Sequence, residues 1–248
     1  MKTTVSGLFR EKFQHKETVC TLTSDKPGAL QIAKSSLIRH REELEAYIGE
    51  NPVFQYALQP VSVDGGPEVV RLMAEAGERA GVGPMAAVAG VLADLAVEAM
   101  LRAGARVAVV EDGGEASIVS DGAIDVALQA GDVPLSRRVG FRLTNFPVGV
   151  ATSSGLFSHA LSLGEAEAVT VFAENAGVAD AAATAVANVV KGEAEQGVIE
   201  GAVKLGLSIE GVRGVFILFK GLIGMGGDIP DIIQVNPEEE TTIKLVVG

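Results

Sequence analysis

The chain has 248 residues, 48% of them hydrophobic but only 4% aromatic, with 30 glycines, no tryptophan and a formal charge of −12. That length and apolar content suffice for one substantial core of Ala, Val, Leu and Ile, and the glycines let backbones approach closely. The charge excludes a nucleic-acid partner, which would need a clustered basic surface, and the single cysteine, Cys20, excludes an internal disulfide framework and a CxxC redox or zinc site.

The opening MKTTVSGLFREKFQHKE places charges where a secretion signal needs its apolar run, so the expected setting is a reducing cytoplasm. Residues 5–24 alternate as two strands of a hairpin, with Phe9, Phe13, Val19 and Thr23 expected inside, until Asp25-Lys-Pro-Gly breaks the pattern. A helix is expected over Leu30–Ile48, with Leu30, Leu37, Leu44 and Tyr47 on one side and Arg39, Arg41, Glu42 and Glu45 on the other; Asn51-Pro52 ends it. A second covers Pro67–Ala80, and a third begins at Pro84, where a missing N–H costs nothing. The apolar stretch Gly83–Gly104 carries Asp94, Glu98 and Arg102 at helical spacing, which reads as a buried amphipathic helix and not a membrane span. Gly81 to Ala86 matches G-x-G-x-x-A, but a helix precedes it where a dinucleotide site needs a strand, so the match is a decoy.

Strands are expected at Arg106–Glu111, Ile118–Val119, Ile124–Leu128, Val139–Leu143 and Val148–Thr152, and another after Glu167. A helix runs from Val178, a Gly-broken helical segment reaches Lys204, strand Val212–Phe219 meets Gly226-Gly227-Asp228, and a last strand occupies Thr242–Val247. Helix, strand and Gly-Gly-acid occur at 84–115 and again at 178–228, a weak sign of internal duplication. Without a Pro-, Ser- or charge-rich linker, residues 1–248 read as one α+β domain.

Within Val178–Lys191, Asp180, Thr184 and Asn188 fall four apart on an Ala/Val helix, stacking a carboxylate, a hydroxyl and an amide along one face. These are hard oxygen donors of the kind Mg²⁺ prefers. The alternative is structural: an acid near a helix start caps free amides, and a mid-helix Thr bonds back to a carbonyl. Thr152-Ser153-Ser154-Gly155 follows a strand, and such a run either turns amides inward as an anion nest or is an ordinary polar turn. His159 lies near it in sequence. Gly113-Gly114 can pass its backbone against a flat ligand or make a tight turn. Walker A, G-x-S-x-G and H-E-x-x-H patterns are absent.

Taken in order, VGPMAAVAG, GGE, TSSGLFSHALSLGEAEAV and ADAAATAVAN resemble the ApbE superfamily, and more closely its ApbE-like branch of archaea and anaerobic bacteria, some of whose members are associated with sulfide assimilation. Characterised members of the superfamily bind FAD and use Mg²⁺ to attach FMN to partner flavoproteins. The resemblance implies a fold of antiparallel-rich sheets packed on long Ala-rich helices. It places Asp180 and Thr184 at the metal positions, and Gly113, Gly114, Thr152, Ser153, Ser154 and Gly155 in a cleft for FAD or FMN. Asp94 matches an acid of the family's helix and, with His159, is a catalytic candidate; Ala89 stands where the transferases carry Lys. The transferases' His-Ile-x-Asp-Pro block is missing after Gly155, which counts against FMN transfer. Two other functions stand beside this one: an accessory or enzymatic role in sulfur assimilation, with Cys20 as carrier, and a non-catalytic homo-oligomer.

Overall fold

The computed structural model describes residues 2–3, 7–128, 136, 138–154, 164–235 and 245–247. A nine-stranded sheet runs in the order β1 (Lys2–Thr3), β2 (Phe9–His15), β3 (Thr18–Ser24), β4 (Ala108–Asp112), β5 (Glu115–Val119), β8 (Val148–Ser153), β9 (Ala168–Ala173), β10 (Val212–Phe219), β11 (Leu222–Gly227). Every neighbouring pair in it is antiparallel. A second sheet, β12 (Asp231–Gln234), β7 (Val139–Leu143), β6 (Ile124–Leu128) and β13 (Leu245–Val247), packs on one of its faces. The helices α1 (Pro27–Glu50), α2 (Pro52–Tyr56), α3 (Glu68–Ala80), α4 (Val88–Arg102), α5 (Ala176–Val189) and α6 (Gln196–Ser208) belong to the other side. This is the α+β architecture expected from the sequence.

The sheet separates two cores because alternate strand residues point to opposite faces. On β4, Ala108 and Val110 join the core beneath the helices, whereas Val109 joins the inter-sheet core. Scarce aromatics are concentrated between the sheets, where Phe141 meets Phe172 and Phe216 edge-on at 4.9 and 5.4 Å between ring centroids. Beneath the helices the core is aliphatic and small, which draws α4 and α5 close. A Cβ on Gly90 would stand 2.2 Å from the Ala176 carbonyl oxygen, and one on Gly177 would stand 2.6 Å from Val91 Cγ2.

Several expectations shift. Val19 faces solvent, 55% exposed, because Phe13 pairs with Cys20 and Gln14 with Val19, so Cys20 takes the inward place. Pro84 opens a short 3-10 turn, Pro84–Ala87, before the α-helix starts at Val88. The apolar segment Pro84–Arg102 is long enough to cross a membrane, but α4 is covered by α1 and α5 and buries Val91, Leu92, Leu95, Ala96 and Met100. The structural echo is a helix on its own hairpin, α4 on β4-β5 and α6 on β10-β11. The glycine pairs differ in place, at the turn of the first hairpin and the far end of the second. Residues 242–244 of the expected last strand lie outside the described residues.

Candidate functional site

Helix α5 is buried around nearly its whole circumference, and Asp180, Thr184 and Asn188 are the polar stripe that keeps partial exposure. Asn175 starts the helix by accepting the Val178 amide at 2.8 Å. Asp94 of α4 takes two more of its free amides, Ala176 N–H to Oδ1 at 3.0 Å and Gly177 N–H to Oδ2 at 2.8 Å. The relation is returned: Gly90, in the first turn of α4, donates its amide to Asp180 Oδ2 at 3.1 Å, and the Ala89 amide also bonds to Asp180. Each helix thus supplies the acid that caps the other, satisfying orphan amides and complementing both dipoles.

The facing wall is the β4-β5 hairpin. Its turn is Gly113-Gly114, with Gly113 at φ 73°, the left-handed region that favours glycine. The Gly114 amide donates to Glu115 Oε2 at 3.0 Å, and the Gly114 carbonyl accepts the Thr152 amide at 3.1 Å. Thr152 spends its hydroxyl on Thr170 Oγ1 at 2.9 Å. Thr152 and Ser153 are the last residues of strand β8, with Ser154 just beyond, and all three are buried. The run is therefore a strand end at this point, and Thr152 has no amide left for an anion. Gly155 and His159 lie outside the described residues.

Asp180 acts electrostatically on Glu115 across this space. Burial pushes Glu115 well above the usual carboxylate range, and the neighbouring Asp180 and Asp112 raise it further. Burial also raises Asp180, with Asp112 and Asp94 adding to it and the Gly90 and Ala89 amides opposing it. Asp94 is pushed up to about 6 by burial, against the pull of Ser117 and its two amides. Asp94 borders a separate pocket of about 130 Å³ lined by Leu72, Arg79, Asn175 and Val178. With both oxygens engaged by backbone, it holds the helices together.

Asp180 thus acts electrostatically on Glu115, the residue after Gly113-Gly114, the Gly114 carbonyl is joined to the Thr152 amide, and Thr184 follows Asp180 one turn along α5. Glu115 is absent from the expected site residues, although the GGE run that contains it is one of the blocks that carry the family resemblance. Cys20 is 1% exposed, and its thiol is pushed far up by burial and by Asp112, to which it donates. A thiol so held is protonated and enclosed, which removes the chemistry a sulfur carrier needs.

The family described as AbpE bacteria matches this chain over residues 3–204. The chain belongs to that family. Its ApbE-like relatives include the UPF0280 protein of Methanococcus vannielii, 40% identical over 94% of this chain and 96% of that one. Another, from Methanocaldococcus jannaschii, is 38% identical over 92% and 94%. The ApbE-like fold is also that of the Pseudomonas stutzeri flavinyl transferase ApbE in its apo form, at TM-score 0.56 and 14% identity over 89% of this chain and 94% of that one. The apbe protein of Thermotoga maritima matches at TM-score 0.52 and 13% identity over 89% and 97%.

Proposed function

We propose that this ApbE-like chain binds a flavin nucleotide, FAD or FMN, in the cleft between α5 and the β4-β5 hairpin, through a Mg²⁺ ion held by Asp180 and Thr184. The observation that carries the reading is the apposition of Asp180 and Glu115. Both carboxylates are raised by burial, Asp180 raises Glu115 further, and none of the principal influences on either is a Lys, Arg or His. A divalent cation is the counter-charge that makes such a pair stable in its ionised form. Among the described residues no three His, Cys, Asp or Glu side chains form a cage of their own. This suits Mg²⁺, which takes one or two carboxylates and completes its shell with water and phosphate oxygens.

When bound, the ion supplies electrostatic neutralisation of a phosphate-bearing ligand. The chain's own residues position it. Asp94 fixes the start of α5, and therefore the direction in which Asp180 and Thr184 project. Gly113-Gly114 presents a bare backbone edge against which a ring system can lie, and Ser153 and Ser154 bring hydroxyls to the end of β8. The flavin assignment rests on kinship with the flavin transferases. The setting is cytoplasmic. With the His-Ile-x-Asp-Pro block missing, the reading stops at ligand binding and does not extend to FMN transfer.

Calorimetric titration of FAD and FMN into the purified chain, with Mg²⁺ or with a chelator, tests this. Expected is saturable binding in Mg²⁺ that weakens at least about tenfold in Asp180→Asn and Thr184→Val. No binding in either condition removes the flavin. Binding that ignores the chelator and both substitutions removes the metal.

A further inference from the structure

The pocket of about 130 Å³ beside Asp94 is separate from the cleft between α5 and the β4-β5 hairpin, since none of Asp180, Thr184 and Glu115 lines it. Its walls are apolar, built by Leu72 and Ala76 of α3, Val91 of α4 and Val178 of α5. A cavity of about 150 Å³ accepts benzene, so this one holds roughly five non-hydrogen atoms. Asp94 is the polar group that α4 brings to it. From Gly90 to Val97 every other residue is buried, while Asp94 keeps part of its surface open. An ionised carboxylate offers about four acceptor positions. The Ala176 and Gly177 amides and the Ser117 hydroxyl take three of them, which leaves a place for a donor in the pocket. The surrounding charge has the matching sign. Arg79 also lines the pocket, but its guanidinium is paired with both Glu75 and Glu174, so with Asp94 the carboxylates outnumber it. The start of α5 adds only roughly half a positive charge. The pocket therefore repels an anion and suits a cation with an apolar stem.

We propose that this pocket binds a primary ammonium on an unbranched stem of about four carbons, the group common to small free amines and a lysine side chain. The stem lies among Leu72, Ala76, Val91 and Val178, and the ammonium donates to the open position of Asp94. A second acceptor is Asn175 Oδ1, which takes the Val178 amide and has another lone pair. A neutral alcohol of the same length fills the same space without the charge, and a carboxylate of that length meets Asp94 as a like charge. The site shares with the flavin cleft only the helices α4 and α5, and it stands whether or not that cleft holds a flavin.

Titration of n-butylammonium, n-butanol and butyrate into the isotope-labelled native chain, followed by amide chemical shifts with a chelator present, tests the site apart from any cation in the cleft. Butylammonium should give saturable shifts centred on Ala76, Val91, Gly177 and Val178, and butyrate none. Butanol should bind about tenfold more weakly, the difference between a charged and a neutral hydrogen-bonded partner. Asp94→Asn should bring butylammonium down to the level of butanol. Glu75→Gln, at an exposed position, leaves Arg79 less neutralised and should weaken butylammonium by about threefold, and Leu72→Trp, also exposed, should crowd it out. These two variants carry the test if Asp94→Asn does not fold. Nα-acetyl-lysine methylamide binding as tightly as butylammonium identifies a lysine side chain as the occupant, and its exclusion identifies a free amine; both support the site. The proposal is overturned by the absence of saturable shifts, by shifts scattered away from the pocket, by butanol binding as tightly as butylammonium, or by variants that respond as the native chain does.

Discussion

Replacing Asp94 separates the ionisation of the interhelical cap from its hydrogen bonds. In the folded chain Asp94 keeps its proton up to about 6, against an ordinary value of 3.8. Between those values the folded state binds more protons than the unfolded chain, so Asp94 lowers stability as pH rises through that window, and its contribution is constant above it. The gap corresponds to roughly 3 kcal/mol, a ceiling because the residue is partly exposed and solvent screens it. Asp94→Asn abolishes this titration and keeps one acceptor for the Ala176 and Gly177 amides. Asp94→Ala abolishes it too and leaves both amides unpaired, each worth about 1–3 kcal/mol. Urea unfolding of the three proteins, followed by circular dichroism at about pH 4 and about pH 7.5, reads both quantities, because carboxylates other than Asp180, which Asp94 raises, cancel in the differences. The Asn variant should gain on the native chain by about 2 kcal/mol between the two conditions. The gap between the Asn and Ala variants should stay at about 1–3 kcal/mol in both. A native-to-Asn difference that does not move with pH, or Asn and Ala variants of equal stability, would refute the argument.

Two other outcomes follow from the packing. Gly90→Ala forces a methyl group to within 2.2 Å of the Ala176 carbonyl and 2.8 Å of the Gly177 amide nitrogen. Because backbone cannot swing aside, denaturant unfolding should register a loss of at least about 3 kcal/mol, or no folded protein. Cys20 should react with an aromatic disulfide reagent no faster than the chain unfolds, and at once in denaturant; rapid labelling of the native protein would show the thiol is accessible.

How much of this was legible varied with local chemistry. β6 and β7 were read to the residue because the short, largely apolar stretches Ile124–Leu128 and Val139–Leu143 have no competing helical period. Val19 was placed on the wrong side because β3, TVCTLTS, has apolar or threonine side chains on both faces, and only the pairing with Phe13 decides which face is buried. β11 was missed because its three glycines look like loop, although their smallness is what lets α6 lie on the strand. The stripe of Asp180 and Thr184 was visible from spacing alone. Its partner Glu115 was not, since the two are 65 positions apart and meet only through the sheet.

The order of strands also sets a constraint on assembly. β3 lies beside β4, with Ser24 against Ala108 and Cys20 against Asp112, yet the chain passes through α1, α2, α3 and α4 between them. The hairpin Phe9–Ser24 is therefore synthesised early and has no edge to dock on until more than eighty further residues have emerged and collapsed. Closing that loop costs entropy before any contact rewards it. Refolding should be governed by this late closure, and the hairpin should be the first part of the sheet to lose its hydrogen-exchange protection.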